Sequence, residues 1–250
     1  MSEQDYQALT AEQWGDIYNE KIYNQVIADI NKGKKSFQTI EMLKLSNAQE
    51  KILEIGSGSG ATSINLALEN RKTTALDFSK ECLNLTKKIA ENLKCSVDLL
   101  YADATKELPF SDDEFDIVFQ AGLLEHFEKE KRIELLKLWS RVGIKTISII
   151  PNAASIAYRV GKAIMEKDGS WEYGKELPQY SMKQEYQLAG LKVIEEYTIG
   201  EQHALEFLPK KHYLRKALQK WINENVCNDN CGQGYLLVTV GEKDEGYSSI

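Results

Sequence analysis

The feature that most limits how this chain can fold is the run Lys51-Ile52-Leu53-Glu54-Ile55-Gly56-Ser57-Gly58-Ser59-Gly60-Ala61-Thr62-Ser63-Ile64. It holds a short apolar segment, an acid, three glycines at alternate positions and then a helix-forming pattern. Residues 52–55 read as a buried parallel strand, and Ile64, Leu66, Ala67 and Leu68 recur at helical spacing behind Thr62 and Ser63. The glycines therefore fall at a strand-to-helix junction. Residues without a Cβ let the backbone take unusual dihedrals there and lie directly against a ligand, with the first helical N–H groups aimed at it. A nucleotide-like ligand is what commonly asks for this, and a plain glycine-rich turn is the alternative.

The glycines alone do not name the ligand. Gly56, Gly58 and Ala61 also fit a dinucleotide fingerprint, and Asp77 lies near the distance of a ribose-binding acid. Glu54, two positions before the first glycine, and Asp103 in Tyr101-Ala102-Asp103-Ala104, just past another strand-like run, tilt the choice. Together these residues resemble the class I S-adenosylmethionine-dependent methyltransferases, small-molecule type. The resemblance implies an α/β fold: a Rossmann-like three-layer sandwich on a seven-stranded, mostly parallel sheet with an antiparallel last strand, plus helical cap insertions.

A chain of 250 residues can build one large core, so a single methyltransferase domain over 1–250 is expected rather than two independent domains. The formal net charge of −7 argues against non-specific adhesion to nucleic acid or to an anionic membrane. No stretch approaches the roughly 18 uninterrupted apolar residues of a membrane helix, and Met1-Ser2-Glu3-Gln4-Asp5 lacks the basic and apolar regions of a signal peptide. A cytoplasmic protein is the expectation. Cys82, Cys95, Cys227 and Cys231 fit no joint metal spacing. Cys227 and Cys231 could pair across a short turn, although a reducing cytosol favours free thiols.

Along the chain, Trp14, Ile17, Tyr18, Ile22, Val26 and Ile30 have helical spacing, with Thr10 and Gln13 placed as a capping box. One or two helices should form there and another over 37–45, so that 1–46 makes a helical lid. Strands are predicted over 51–55, 72–76, 97–101, 115–120 and 146–150, with helices beginning near Thr62, Ser79, Leu123 and Lys129. Insertions follow at 151–181 and 201–234. Between them lie a helix over 182–189 and a strand over 192–199, and the last strand is expected over 235–241. That last strand, reached by an excursion without a clear parallel crossover, is expected antiparallel, and a flexible tail over 242–250.

The resemblance assigns roles residue by residue. Gly56, Ser57 and Gly58 bring main-chain N–H groups to the methionine part of the cofactor, and Glu54 orients the loop or the cofactor's amino group. Asp77, followed by Phe78, accepts from the ribose hydroxyls. Its competing role is to cap the helix beginning at Ser79. Asp103 and Ala104 meet the adenine, Gln120 closes the fourth strand at the ligand edge, and Tyr18, beside Trp14, closes over the methionine end. Leu123-Leu124-Glu125-His126 resembles a signature of small-molecule members. His126 is the candidate general base, with a packed, backbone-bonded histidine as its alternative.

Trp171, Tyr173 and Tyr180 are expected to wall an acceptor pocket that suits a small-molecule substrate. The basic amphipathic helix over 210–222 is either solvated or an electrostatic patch. The implied cofactor is S-adenosylmethionine, with S-adenosylhomocysteine as product and no metal. Competing readings are a nicotinamide-dependent oxidoreductase, which leaves Asp103 and the reversed strand without a role, and a non-catalytic S-adenosylmethionine-binding regulatory protein.

Overall fold

The structure, a computed structural model, describes residues 9–225 and 232–244. Cys227, Cys231 and residues 245–250 lie outside them.

Seven strands form one sheet in the order β3-β2-β1-β4-β5-β7-β6. They are β1 (Lys51–Ile55), β2 (Lys72–Asp77), β3 (Asp98–Tyr101), β4 (Phe115–Ala121), β5 (Gly143–Pro151), β6 (Leu191–Ile199) and β7 (Leu236–Lys243). The first five pair in parallel, whereas β7 runs antiparallel between β5 and β6. The expected reversed last strand is present. It extends through Glu242 and Lys243, so the first two residues of the expected flexible tail are strand.

The alternation of side chains along β1 decides what faces what. Ile52 joins the cluster containing Met42, Leu66, Ile117 and Phe119, while Leu53 and Ile55 join the opposite cluster with Leu135, Leu136 and Trp139. Glu54 shares its face with Ile52 and so meets α4 (Ala61–Leu68), which covers that side together with α3 (Phe37–Leu45). Burial on both faces is what makes these strands read as continuous apolar runs.

The amino-terminal segment forms α1 (Ala11–Ile17) and α2 (Glu20–Asn31), and the Thr10–Gln13 capping box is present in both directions. Ile22, Val26 and Ile30 pack against Leu85 and Ile89 of α5 (Lys80–Leu93), whose N-cap is Ser79. The helix expected near Leu123 is only a single 3₁₀ turn, Leu124–His126, because the Gln120 side-chain oxygen accepts from Leu123 N–H and Leu124 N–H and tightens the chain there. A full helix, α6 (Lys129–Val142), follows.

The first insertion holds α7 (Ile156–Asp168) and an extended return that leads to α8 (Lys183–Leu188). The second holds α9 (Glu201–Ala204) and α10 (Tyr213–Asn225). Both leave the carboxyl edge of the sheet, at the ends of β5 and β6. Ala157 of α7 packs with Leu205, Leu208 and Ile222, so the second insertion backs the first.

Candidate functional site

A cavity of about 480 Å³ opens at the carboxyl edge of β1, β2 and β4, where open α/β sheets place ligands. Its floor is the glycine loop. Gly56 and Gly58 both have positive φ, at 69° and 53°. A Cβ on Gly58 would come 2.6 Å from Cζ of Tyr18, so only glycine lets the aromatic ring rest on this loop.

Asp77 ends β2 and reaches under the loop. Its Oδ2 accepts from Gly58 N–H at 2.8 Å and its Oδ1 from Ser79 N–H at 2.8 Å. The side chain thus ties the glycine loop to the start of α5, whose N-cap is Ser79 itself and not Asp77. Burial raises its pKa against the pull of these bonds. Phe78 follows, 39% exposed, as an apolar flank of the cavity.

Asp103 and Ala104 lie opposite. Burial pushes the Asp103 pKa up, but two hydrogen bonds from Thr105 and the nearby Lys106 and Lys131 outweigh it and hold the carboxylate below its usual range. Trp139 of α6, a cavity residue that the sequence analysis did not single out, donates its indole N–H to Ala104 O at 2.9 Å and fixes this loop.

At the other end stand Trp14, Tyr18 and His126. Trp14 stacks on Tyr18 with centroids 6.2 Å apart and meets His126 edge-on at 5.7 Å. The carbonyl of Lys175 lies 2.8 Å from Nδ1 of His126. A carbonyl only accepts, so Nδ1 carries the proton and Nε2 is the basic position of the neutral ring. Burial, opposed by that bond, lowers the His126 pKa and keeps the ring neutral. The structure shows the backbone-bonded histidine, with Nε2 left as its basic position.

The return of the first insertion covers the mouth with Tyr173, Gly174, Lys175 and Leu177, and Leu177 N–H donates to Glu125 O at 2.7 Å. Leu9, Cys82, Gly122, Phe127 and Glu128 also line it, none of them expected there from the sequence.

Other expected site residues stand back from the cavity. Glu54 accepts from both N–H and O–H of Ser63 through Oε2, which makes it a brace between β1 and α4. Ser57 and Gln120 are buried in the wall, and Ser57 Oγ and Gln120 Nε2 lack hydrogen-bond partners. Trp171 backs Tyr173 at 5.4 Å and lies under the ammonium of Lys162. Tyr180 is 72% exposed in a separate groove with Ala153, Ile156 and Arg159. Residues 201–225 are not among those that line the cavity.

Burial raises the Glu54 pKa from 4.5 to about 7, offset by Ser63 and added to by Asp77. A raised carboxyl favours the protonated folded state. Its contribution is complete below the unfolded value and is lost as pH rises through about 7. Glu54→Gln, which keeps an acceptor for Ser63, is expected to gain on the parent by about 2–3 kcal/mol between pH 5 and pH 8 in urea midpoints. A difference independent of pH would show that Glu54 ionises without penalty.

Residues 52–143 match a family model described as a methyltransferase domain. The demethylmenaquinone methyltransferase of Clavibacter sepedonicus is 37% identical over 110 residues, which are 42% of this chain and 44% of that protein. The release factor glutamine methyltransferase of Lactococcus lactis subsp. lactis (strain IL1403) is 36% identical over 85 residues, 32% of this chain and 30% of that protein. These matches span less than half of the length of either relative. A solved SAM-dependent methyltransferase of Thermotoga maritima shares the fold with a TM-score of 0.63 and 16% identity, covering 93% of this chain and 99% of that one. Among the described residues no cluster of His, Cys, Asp or Glu suits a metal ion, and no helix is long and apolar enough to cross a membrane.

Proposed function

We propose, on the premise that residues 52–143 match a methyltransferase domain, that the chain is a class I S-adenosylmethionine-dependent enzyme and transfers the methyl group of S-adenosylmethionine to a small-molecule acceptor, releasing S-adenosylhomocysteine. The observation that carries this reading is one cavity lined along its length by the glycine loop, Asp77 with Phe78, Asp103 with Ala104, and the Trp14–Tyr18–His126 cluster.

The residues fit the cofactor. The glycine loop lies in the cavity lining at Gly56 and Gly58, and the absence of a Cβ on Gly58 is what lets Tyr18 lie against it. The Asp77 carboxylate can accept ribose hydroxyl protons beside its backbone bonds, since each oxygen has a second lone pair. Asp103, held ionised, accepts from the adenine amino group. When bound, S-adenosylmethionine supplies a methyl group already activated by its sulfonium leaving group. The protein's part is alignment and exclusion of water. Trp14, Tyr18 and Tyr173 close the transfer end, and His126 takes a proton through Nε2 where the acceptor has one to lose.

One relative is named for demethylmenaquinone and another for a release-factor glutamine, so their names do not choose the acceptor. Enclosure by α1 and by residues 173–177 supports a small one. Calorimetric titration with S-adenosylhomocysteine and with NAD tests the reading. The homocysteine derivative is expected to bind and NAD not to; the reverse would overturn it.

Tyr18 resting on Gly58 supports a lid role for α1 and α2. Amide hydrogen exchange over residues 11–31 is expected to slow when S-adenosylhomocysteine binds. Equal exchange with and without it would make these helices fixed scaffold.

A further inference from the structure

Two carboxyls stand just behind the transfer end of the cavity, and nothing in the reaction as described uses them. Glu125 lies in the 3₁₀ turn, 2% exposed, and its Oε2 is buried with no hydrogen-bond partner. Its Oε1 is the nearest atom that a Cβ on Gly122 would meet, at 3.5 Å, and Gly122 lines the cavity. At Gly122 the wall carries no side chain, and Glu125 Oε1 borders the space that one would occupy.

Glu176 sits between Lys175 and Leu177, both cavity residues. It accepts from the Tyr158 hydroxyl at 2.5 Å, and the ring of Tyr158 packs against Tyr235 and Phe207, each with centroids 5.2 Å away. Burial and then the neighbouring Glu176 push the Glu125 carboxyl well up, and burial brings Glu176 to about 7. Lys162 acts on Glu176, but its ammonium already pairs with Glu166 and lies over Trp171.

A buried carboxyl with an unpartnered oxygen is costly and calls for a donor. Two buried carboxyls, one of them bonded to a tyrosine that packs on a second tyrosine, suit one kind of donor best. An ammonium offers several N–H groups, forms charge-assisted bonds with both acids and is attracted to ring faces. We propose that the acceptor carries a cationic nitrogen, reached past Gly122 and held by Glu125 and Glu176, with Tyr158 and Tyr235 as its aromatic walls. This rests on the methyl-transfer reading and narrows its substrate class.

The test uses the full chain saturated with S-adenosylhomocysteine and matched pairs of probes: tyramine with tyrosol, tryptamine with tryptophol, putrescine with 1,4-butanediol. Calorimetry is expected to find at least one amine that binds about tenfold or more tightly than its alcohol. Glu125→Gln and Glu176→Gln should each bring that pair within about threefold of equality while the S-adenosylhomocysteine dissociation constant stays the same. Thermal melting checks both variants, and Glu176→Gln, on the covering loop, carries the test if Glu125→Gln does not fold. Binding of S-adenosylhomocysteine with no amine preferred, or a preference that survives both substitutions, overturns the proposal and leaves methyl transfer standing. Failure of S-adenosylhomocysteine itself to bind overturns the methyl-transfer reading and this one with it.

Discussion

Asp77→Ala is expected to weaken S-adenosylhomocysteine binding by at least about tenfold, because charge-assisted hydrogen bonds contribute on the order of 1.5–3 kcal/mol each. The loss has two sources. The ribose hydroxyls lose their acceptor, and the N–H groups of Gly58 and Ser79 lose the two oxygens that now hold the glycine loop to the start of α5. Asp77→Asn separates them in part: its one remaining oxygen can serve only one of the two backbone donors, and its amide nitrogen faces the other donor-to-donor. An intermediate affinity is expected. Calorimetry on the folded variants measures this directly, and an unchanged dissociation constant for Asp77→Ala would remove Asp77 from the site.

Arg132→Ala should have the largest effect on stability. Arg132 of α6 and Glu185 of α8 are each 4% exposed and meet at 2.8 Å, and a second guanidinium nitrogen donates to the carbonyl of Phe127, a cavity residue. Truncating one partner leaves the Glu185 carboxylate buried and uncompensated, at a cost of about 3–5 kcal/mol. Replacing both, as Arg132→Met with Glu185→Leu, should recover much of that loss, since the desolvation of both charges then disappears. Urea unfolding of the two variants is the measurement. A loss under about 1 kcal/mol for Arg132→Ala would mean that Glu185 finds water or another donor.

Backbone organisation was legible wherever a local pattern has one physical solution. The apolar run before Gly56 could only be a buried strand. Thr10 and Gln13 could cap each other without any distant partner, and Ser79 could cap α5. The helix expected at Leu123 did not form beyond one turn because the Gln120 side chain supplies an acceptor that periodicity does not register. The cavity-lining aromatics of the first insertion were legible only in part. Tyr173 reaches the cavity, whereas Tyr180, a few residues on, lies in another groove, since the chain between them turns back to pair at Asn152 and Gln179.

By itself, the sequence determined the alternation of strands and helices, the glycine loop and the acids at the strand ends, because each depends on residues within about one turn or one strand of one another. Only the tertiary structure decided that β7 enters between β5 and β6, that Glu54 braces α4, that the carbonyl of Lys175 sets the proton on His126, and that Leu177, next to Glu176, bonds to the backbone of Glu125. Those pairings join residues far apart along the chain. Which side chains meet there depends on how packed elements cross, and no local periodicity encodes the crossing.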